Sequence, residues 1–344
     1  MSSMQSKILQ NSFPSWFAEL LSVEVFQDLA SDFQDGGEFS FTEDILRANQ
    51  ILSSAQDQTK GVFGYKWEKL DTFENAGPQN MMEEWSNRRY KAAEYWFPKA
   101  DRKHTILDAG CGAAHTGLLY FKPILDNINY IGADISTAVD VAKKRMEGAG
   151  ANARFIQCDL IDLPIRPGTL DGIFSEGVLH HTDSTKDALL ALAPLLKPGG
   201  LFMFYVYKKK GPIREFTDDF IREKLQQMSP EEAWGALEPI SKLGKALGDL
   251  EVKIDIPERI DLLGIDKGEF DLQRFFYWNV LKCFYRPGFD LEEMNHINFD
   301  WFAPKNAFRQ TPEQVRDWCW EAELIIEREQ IEEAGITIVA RKKL

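Results

Sequence analysis

The sequence predicts an α/β fold, a mostly parallel sheet with helical segments ahead of it and inserted within it. Three observations predict this. Residues 105–207 alternate short apolar runs with helical patterns, as parallel strands joined by right-handed crossovers do. Residues 104–117, His-Thr-Ile-Leu-Asp-Ala-Gly-Cys-Gly-Ala-Ala-His-Thr-Gly, read as a strand ending in Asp108, a turn at Gly110 and Gly112, and a helix start. Glycine has no Cβ, so such a turn lets a ligand approach the backbone closely. Residues 305–344 return to the sheet pattern with a capped helix and a short closing strand pair, which implies an antiparallel hairpin.

Taken in order, residues 1–100 are rich in aromatics and mostly helical in pattern. Phe17, Leu20, Leu21, Val25 and Leu29 have helical spacing over Trp16–Leu29. A second helix is expected over Met81–Phe97, stopped by Pro98, and Phe63–Trp67 between them is too aromatic for a bland linker. Strands are expected at Thr105–Asp108, Tyr130–Asp134, Arg154–Cys158, Leu170–Phe174 and Leu201–Tyr207. Helices are expected at Ala114–Leu125, Thr137–Glu147 and Ser184–Leu196. Residues 208–304 break the alternation and read as a largely helical insertion. There Phe216, Phe220, Ile221, Leu225 and Met228 mark one helix face, and capping boxes stand at Ser229–Glu232 and Asp290–Glu293. Thr311–Gln314 caps a further helix, and Leu324–Glu329 with Ile336–Ala340 closes the chain.

At 344 residues, 44% hydrophobic and 27% charged, the chain can bury a full core. The net charge of −14 argues against nucleic acid as the main partner, because an acidic surface repels phosphates. Cys111, Cys158, Cys283 and Cys319 form no CxxC pair, and the histidines show no HxxxH spacing, so neither metal nor disulfide framework is expected. The N-terminal stretch has no apolar run of signal-peptide type, and no window suits a membrane span. We therefore expect a cytoplasmic protein without a membrane partner, either a monomer or a homodimer.

The order of polar residues at strand ends carries the chemistry. The second core strand ends in Asp134, where a carboxylate suits the two hydroxyls of a ribose. Asp159 follows the third and is placed to accept from an adenine amino group, with Leu160 against the ring. The fourth runs into Ser175-Glu176-Gly177-Val178-Leu179-His180-His181, and Leu196-Lys197-Pro198-Gly199-Gly200 precedes the fifth. On ILDAGCG, YIGADIS, IQCDLIDLPI, LDGIFSEGVLHHT and LKPGG, the chain resembles the class I S-adenosylmethionine-dependent methyltransferases, in particular the ubiquinone/menaquinone-methyltransferase-like branch. The resemblance covers residues 105–207 and the closing hairpin. It implies a Rossmann-like, seven-stranded core over 101–207 and 305–344, with S-adenosylmethionine as cofactor. It also implies that Asp108, Gly110 and Gly112 line the methionine part, that Asp134 holds the ribose and that Asp159 and Leu160 frame the adenine, with Cys111 and Ile135 as further cofactor-binding residues. The sequence departs from the family turn at Ala114, where a third glycine is common. His115 breaks the GxGxxG pattern of dinucleotide enzymes.

For the rest, each residue has a functional and a structural reading. His180 and His181 supply a general base, or they pack over the cofactor as part of the loop. Glu176 touches the cofactor, or it is a helix-start carboxylate favoured by the dipole. Tyr205 and Tyr207 end the fifth strand at the site side of the sheet; Tyr207 is a candidate catalytic group. Tyr65 and Trp67 contribute to a lid, or they pack as ordinary aromatics. Lys208–Lys210 with Arg214 bind an acidic acceptor, or they form a solvated exit loop. Gln273–Trp278 and Asn295–Trp301 mix polar and aromatic groups as substrate pockets do, so His296, Asn298, Asp300 and Trp301 are candidate substrate residues. The expected activity is methyl transfer by in-line displacement to a small-molecule acceptor through a thiol, oxygen, nitrogen or carbon nucleophile. Residues 1–100 and 208–304 would form a helical cap that keeps water out. Methylation of RNA or protein, aminopropyl transfer and a non-catalytic cofactor-binding module are the alternatives.

Overall fold

The computed structural model describes residues 13–22, 39–68 and 76–344. One sheet of nine strands organises it: β1 (Phe39–Thr42), β2 (Ile45–Ala48), β3 (His104–Ala109), β4 (Ile128–Asp134), β5 (Ala153–Gln157), β6 (Leu170–Glu176), β7 (Leu196–Tyr207), β10 (Leu324–Ile331) and β11 (Gly335–Lys342). The small hairpin of β8 (Lys253–Ile256) and β9 (Gly268–Asp271) stands apart in the insertion. The sheet order is β1-β2-β5-β4-β3-β6-β7-β11-β10. Strands β2 to β7 run parallel, while β11 pairs antiparallel with both β7 and β10. The central strands are buried on both faces, which is why their sequences are continuous apolar runs rather than alternating ones.

Seven of these strands make the core that the resemblance implied. The other two correct the reading of residues 1–100 as mostly helical. Phe39-Ser40-Phe41-Thr42 and Ile45-Leu46-Arg47 form a hairpin on the edge beside β5, turning at Glu43 and Asp44, both at positive φ. The Phe-Ser-Phe-Thr alternation was the signal for it. Of the helix expected over Trp16–Leu29, the described part holds one turn, Ser15–Ala18; residues 23–29 lie outside the described residues.

The helices are α1 (Ser54–Glu68), α2 (Ala76–Tyr90), α3 (His115–Phe121), α4 (Ala138–Gly148), α5 (Thr185–Leu192), α6 (Pro212–Leu225), α7 (Pro230–Asp249), α8 (Leu272–Asn279), α9 (Leu291–Phe302) and α10 (Pro312–Glu321). The capping boxes at Ser229, Asp290 and Thr311 are all formed. Of the apolar face expected on α6, Leu225 is buried and Ile221 packs against the core, but Phe216, Phe220 and Met228 are exposed, while Arg214, Asp218 and Arg222 are buried. The inward face meets Trp301, whose indole N–H donates to Asp218 and whose ring lies under both arginines. Along the first two turns, paired charges and a ring stand where periodicity alone suggests an aliphatic seam, which begins only at Ile221 and Leu225.

The insertion places a loop, residues 280–286, beside the sheet. Gly244 of α7 admits it, because a Cβ there would stand 2.6 Å from the Cys283 carbonyl oxygen. Buried Asn298 accepts from the Phe284 N–H and donates to Ser241, and Ser241 donates to Asn295. This network fixes the loop against α7 and α9.

Candidate cofactor and acceptor site

A cavity of about 440 Å³ opens at the C-terminal ends of β3 to β7, where ligands bind in open α/β sheets. The residues expected at a cofactor, Asp108, Gly110, Cys111, Gly112, Asp134, Ile135, Asp159, Leu160 and Glu176, all line one end of it. Gly110 has φ +82°, and a Cβ on it would lie 2.2 Å from Val178, so only glycine fits this turn. Ala114 is also left-handed, at φ 56°, where glycine would avoid a strain of about 1 kcal/mol. The helix α3 nevertheless starts there.

Each carboxylate at this end keeps capacity for a ligand. Asp108 accepts from the Tyr130 hydroxyl at 2.5 Å, and burial raises its pKa to about 7 despite that bond. A bound cationic group would favour its ionised form. Asp134 accepts from the Gly112 N–H and from the N–H and hydroxyl of Ser136, at 2.7–2.9 Å. Two oxygens offer about four acceptor sites, which leaves room for a ribose hydroxyl. Asp159 accepts from the Ile161 N–H through Oδ1, and its carboxylate lines the cavity. Its own N–H donates to the side chain of Gln50, which the hairpin β1–β2 brings to this edge. These groups fit the methionine, ribose and adenine parts of S-adenosylmethionine.

Glu176 is held by Arg89 and by the Tyr90 hydroxyl, both from α2. The Arg89 guanidinium in turn lies 3.9 Å over the ring of Tyr205. The Glu176 carboxylate is therefore fixed by a side-chain clamp rather than by a helix start, and Tyr205 lines the cavity beneath it.

Beyond the cofactor end lie His181, Tyr207, Lys66, Lys210, Arg214, Arg274, Tyr277, Trp278, Lys282, Asp300 and Trp301. His181 Nδ1 faces the Asn306 carbonyl at 2.6 Å, so it carries the proton and Nε2 is the acceptor. Burial lowers the His181 pKa to about 4. Burial, and then Asp300, raises the Tyr207 phenol well above its ordinary value; its hydroxyl donates to Asp300 at 3.3 Å. Burial pushes Asp300 up, but Lys66 at 2.5 Å, with His181 and Lys282, holds it well below the usual carboxylate range.

The other candidates sit elsewhere. His180 packs behind Tyr207, ring centroids 3.6 Å apart and tilted by 34°, and does not line the cavity; burial keeps it neutral. Tyr65 packs on Trp234 and Phe299, and His296 lies edge-on to Trp234. Asn298 belongs to the network that holds the 280–286 loop. Trp67 lies in the last turn of α1, and its side chain lies outside the described residues. In the basic run only Lys209 is exposed, whereas Lys210 and Arg214 line the cavity, so the exit-loop reading fails for those two. Arg89, Tyr90, Lys66 and Lys282 were missed. A lysine within the aromatic run Leu281–Tyr285 was the available signal for the last. Among the described residues no cluster of His, Cys, Asp and Glu could hold a metal ion, and no helix is long and apolar enough to cross a membrane.

A parallel sheet closed by an antiparallel strand pair, with acidic residues at successive strand ends around a glycine turn, defines a class I methyltransferase core. Residues 107–204 match the model of a family described as a methyltransferase domain. Over 111 residues the chain is 38% identical to an uncharacterized protein of Synechococcus sp., covering 31% of this chain and 26% of that one. Over 123 residues it is 29% identical to the tRNA (carboxymethyluridine(34)-5-O)-methyltransferase of Mus musculus, covering 35% of this chain and 17% of that one. The matches thus span about a quarter or less of these curated relatives' lengths. Among solved structures, the 1,6-didemethyltoxoflavin-N1-methyltransferase of Burkholderia thailandensis is similar at 12% identity and a TM-score of 0.43, covering 86% of this chain and 94% of that one. The chain carries a class I S-adenosylmethionine-dependent methyltransferase domain, and S-adenosylmethionine is its cofactor.

Proposed function

We propose that this protein transfers a methyl group to a small-molecule acceptor held between the ends of β6 and β7 and the helices α1, α2, α8 and α9. The observation that carries the reading is the continuity of one cavity from Asp108 and Asp134 to Tyr277, Trp278 and Trp301. Its volume, about 440 Å³, lies in the range of small-molecule sites. When bound, S-adenosylmethionine supplies a sulfonium methyl carbon open to in-line displacement. The protein's share is to hold the acceptor in line and to exclude water.

The roles of the candidate residues follow from their protonation. His181 is neutral with Nε2 as a hydrogen-bond acceptor, and Tyr207 keeps its phenolic proton. Neither is a strong base near pH 7, so the two position an acceptor that arrives as a nucleophile. The Arg89–Glu176–Tyr90 clamp ties α2 to the end of β6 and closes that side of the chamber.

A second reading, an RNA acceptor, is favoured by the names of relatives such as the mouse tRNA methyltransferase and the probable tRNA methyltransferase 9B of Homo sapiens, 34% identical over 116 residues. The overall charge of −14 and the helical walls of the cavity speak against it. Methyl-labelled S-adenosylmethionine offered with a small-molecule extract and, separately, with total tRNA decides between them. Label in the small-molecule fraction supports the first reading, and label in tRNA alone overturns it.

A further inference from the structure

The chain is acidic overall, yet the acceptor end of its cavity is rich in cations. The acids facing that end are engaged. Asp300 takes Lys66 and Tyr207, Glu176 takes Arg89 and Tyr90, and Glu332 takes Arg88. Glu333 is exposed to solvent. Behind the wall, Asp218 takes both Arg214 and the Trp301 indole N–H. Lys210, Arg274 and Lys282 are left without a carboxylate partner among the described residues. Lys210 donates to the carbonyls of Lys208 and Ala334, and Arg274 donates to that of Tyr285. Lys282 donates to none of the described residues, although it is only 6% exposed.

The two lysines share one ring. Lys282 Nζ lies 4.6 Å and Lys210 Nζ 5.3 Å from the centroid of Trp301. Attraction to an aromatic face offsets only part of the cost of removing an ammonium from water. Burial accordingly drives both amines toward their neutral forms, Lys282 to about 7 and Lys210 also well down. The loop bearing Lys282 is rigidly held by Asn298, so the amine does not depend on a mobile segment for its place. A fixed, buried amine that faces a cavity and lacks an acceptor is a site whose counter-ion arrives with a ligand. Tyr277, Trp278 and Phe284 beside it give an apolar wall for an organic body.

We propose that Lys282 and Lys210, against the face of Trp301, bind an oxyanion group of the methyl acceptor, a carboxylate or a phosphate ester. The word acceptor rests on the methyl-transfer reading; the anion site itself does not.

The test is calorimetric titration of the full chain, saturated with S-adenosylhomocysteine, with benzoate, inorganic phosphate and the neutral benzamide. At least one anion should bind in the millimolar range, and benzamide about tenfold more weakly or not at all. Benzoate against phosphate separates the two sources of the oxyanion. Lys282→Met and Lys210→Met should each weaken the anion by about tenfold, with the affinity for S-adenosylhomocysteine unchanged. Lys282→Arg keeps the charge and should keep the anion, which guards against misreading a folding defect. The proposal is overturned if neither anion binds, if benzamide binds as well as benzoate, or if Lys282→Met leaves anion binding intact. Competition between the anion and S-adenosylhomocysteine would assign the site to the cofactor's own carboxylate and overturn it too. Anion binding without any binding of S-adenosylhomocysteine would instead strike the methyl-transfer reading and leave the anion site standing.

Discussion

Replacing Lys282 with methionine should stabilise the protein, and the size of the gain follows from the amine's surroundings. The side chain is buried, donates no hydrogen bond to a described residue, and faces Asp300, Arg214, Asp218 and Lys66. Burial is the largest influence and Arg214 adds to it, while Asp300 and Asp218 oppose it; the pKa falls from 10.5 to about 7. The unfolded chain therefore keeps this proton up to about pH 10.5, whereas the folded chain begins to lose it near 7. Between those values the unfolded state binds more protons, and stability rises with pH. Holding the amine folded at pH 7 costs on the order of 4 kcal/mol, at 1.36 kcal/mol per pKa unit. Methionine keeps most of the contact with Trp301 and removes the charge. Lys282→Met should thus gain about 2–4 kcal/mol at pH 7 and about 1 kcal/mol or less at pH 10. Urea melts of both proteins at the two pH values measure this. A loss of stability, or a gain that does not shrink with pH, would refute the claim that this ammonium is buried without a counter-ion.

Three further outcomes are expected. Asp134→Ala removes the acceptor placed for the ribose and should weaken S-adenosylhomocysteine by about 100-fold in calorimetry, taking hydrogen bonds to a charged group at about 1.5–3 kcal/mol; an unchanged Kd would remove Asp134 from the cofactor site. Asp108, raised to about 7 by burial, must be ionised to pair with the ammonium end of the ligand, so affinity should be present above pH 7 and lost below it. The Kd at pH 6 should be about tenfold weaker than at pH 8, with proton release on binding, and a flat profile would contradict that pairing. Arg214→Ala leaves Asp218 buried and unpaired and should cost about 3–5 kcal/mol in urea melts, with Asp218→Asn in the same chain restoring part of it; no restoration would mean the cost lies elsewhere.

The sheet was legible because its strands obey a local rule. Strands β3, β4 and β6 are buried on both faces and read as apolar runs, and each carries a carboxylate at or next to its end, Asp108, Asp134 and Glu176, which their adjacency in the sheet gathers around the turn at Gly110–Gly112. The helix starts were legible at Ser229, Asp290 and Thr311 because a capping box spans only four residues. What escaped was set by distant partners. Arg89 meets Glu176 from 87 positions away and Lys66 meets Asp300 from 234, so no local pattern announces either pair. Part of the inward face of α6 was misread for the same reason, although Leu225 and Ile221 do pack inward. Periodicity weighs Phe216 and Phe220 as core, but Trp301, contributed by α9, makes Arg214 and Arg222 the better-satisfied inward residues. His180 and His181 look equivalent in sequence, yet a bond from His181 to Asn306 and the packing of His180 on Tyr207 give them different surroundings. Only one of the two rings faces the cavity.

The central claim is that the chamber next to the cofactor residues receives a small molecule. It is tested most directly by incubating the protein with S-adenosylmethionine labelled in its methyl group and a small-molecule cell extract, then separating the products by anion exchange and mass spectrometry. Label on a retained, anionic small molecule is the expected result. Label only in tRNA or protein offered in parallel, or none in any fraction from a protein that binds S-adenosylhomocysteine, would contradict it.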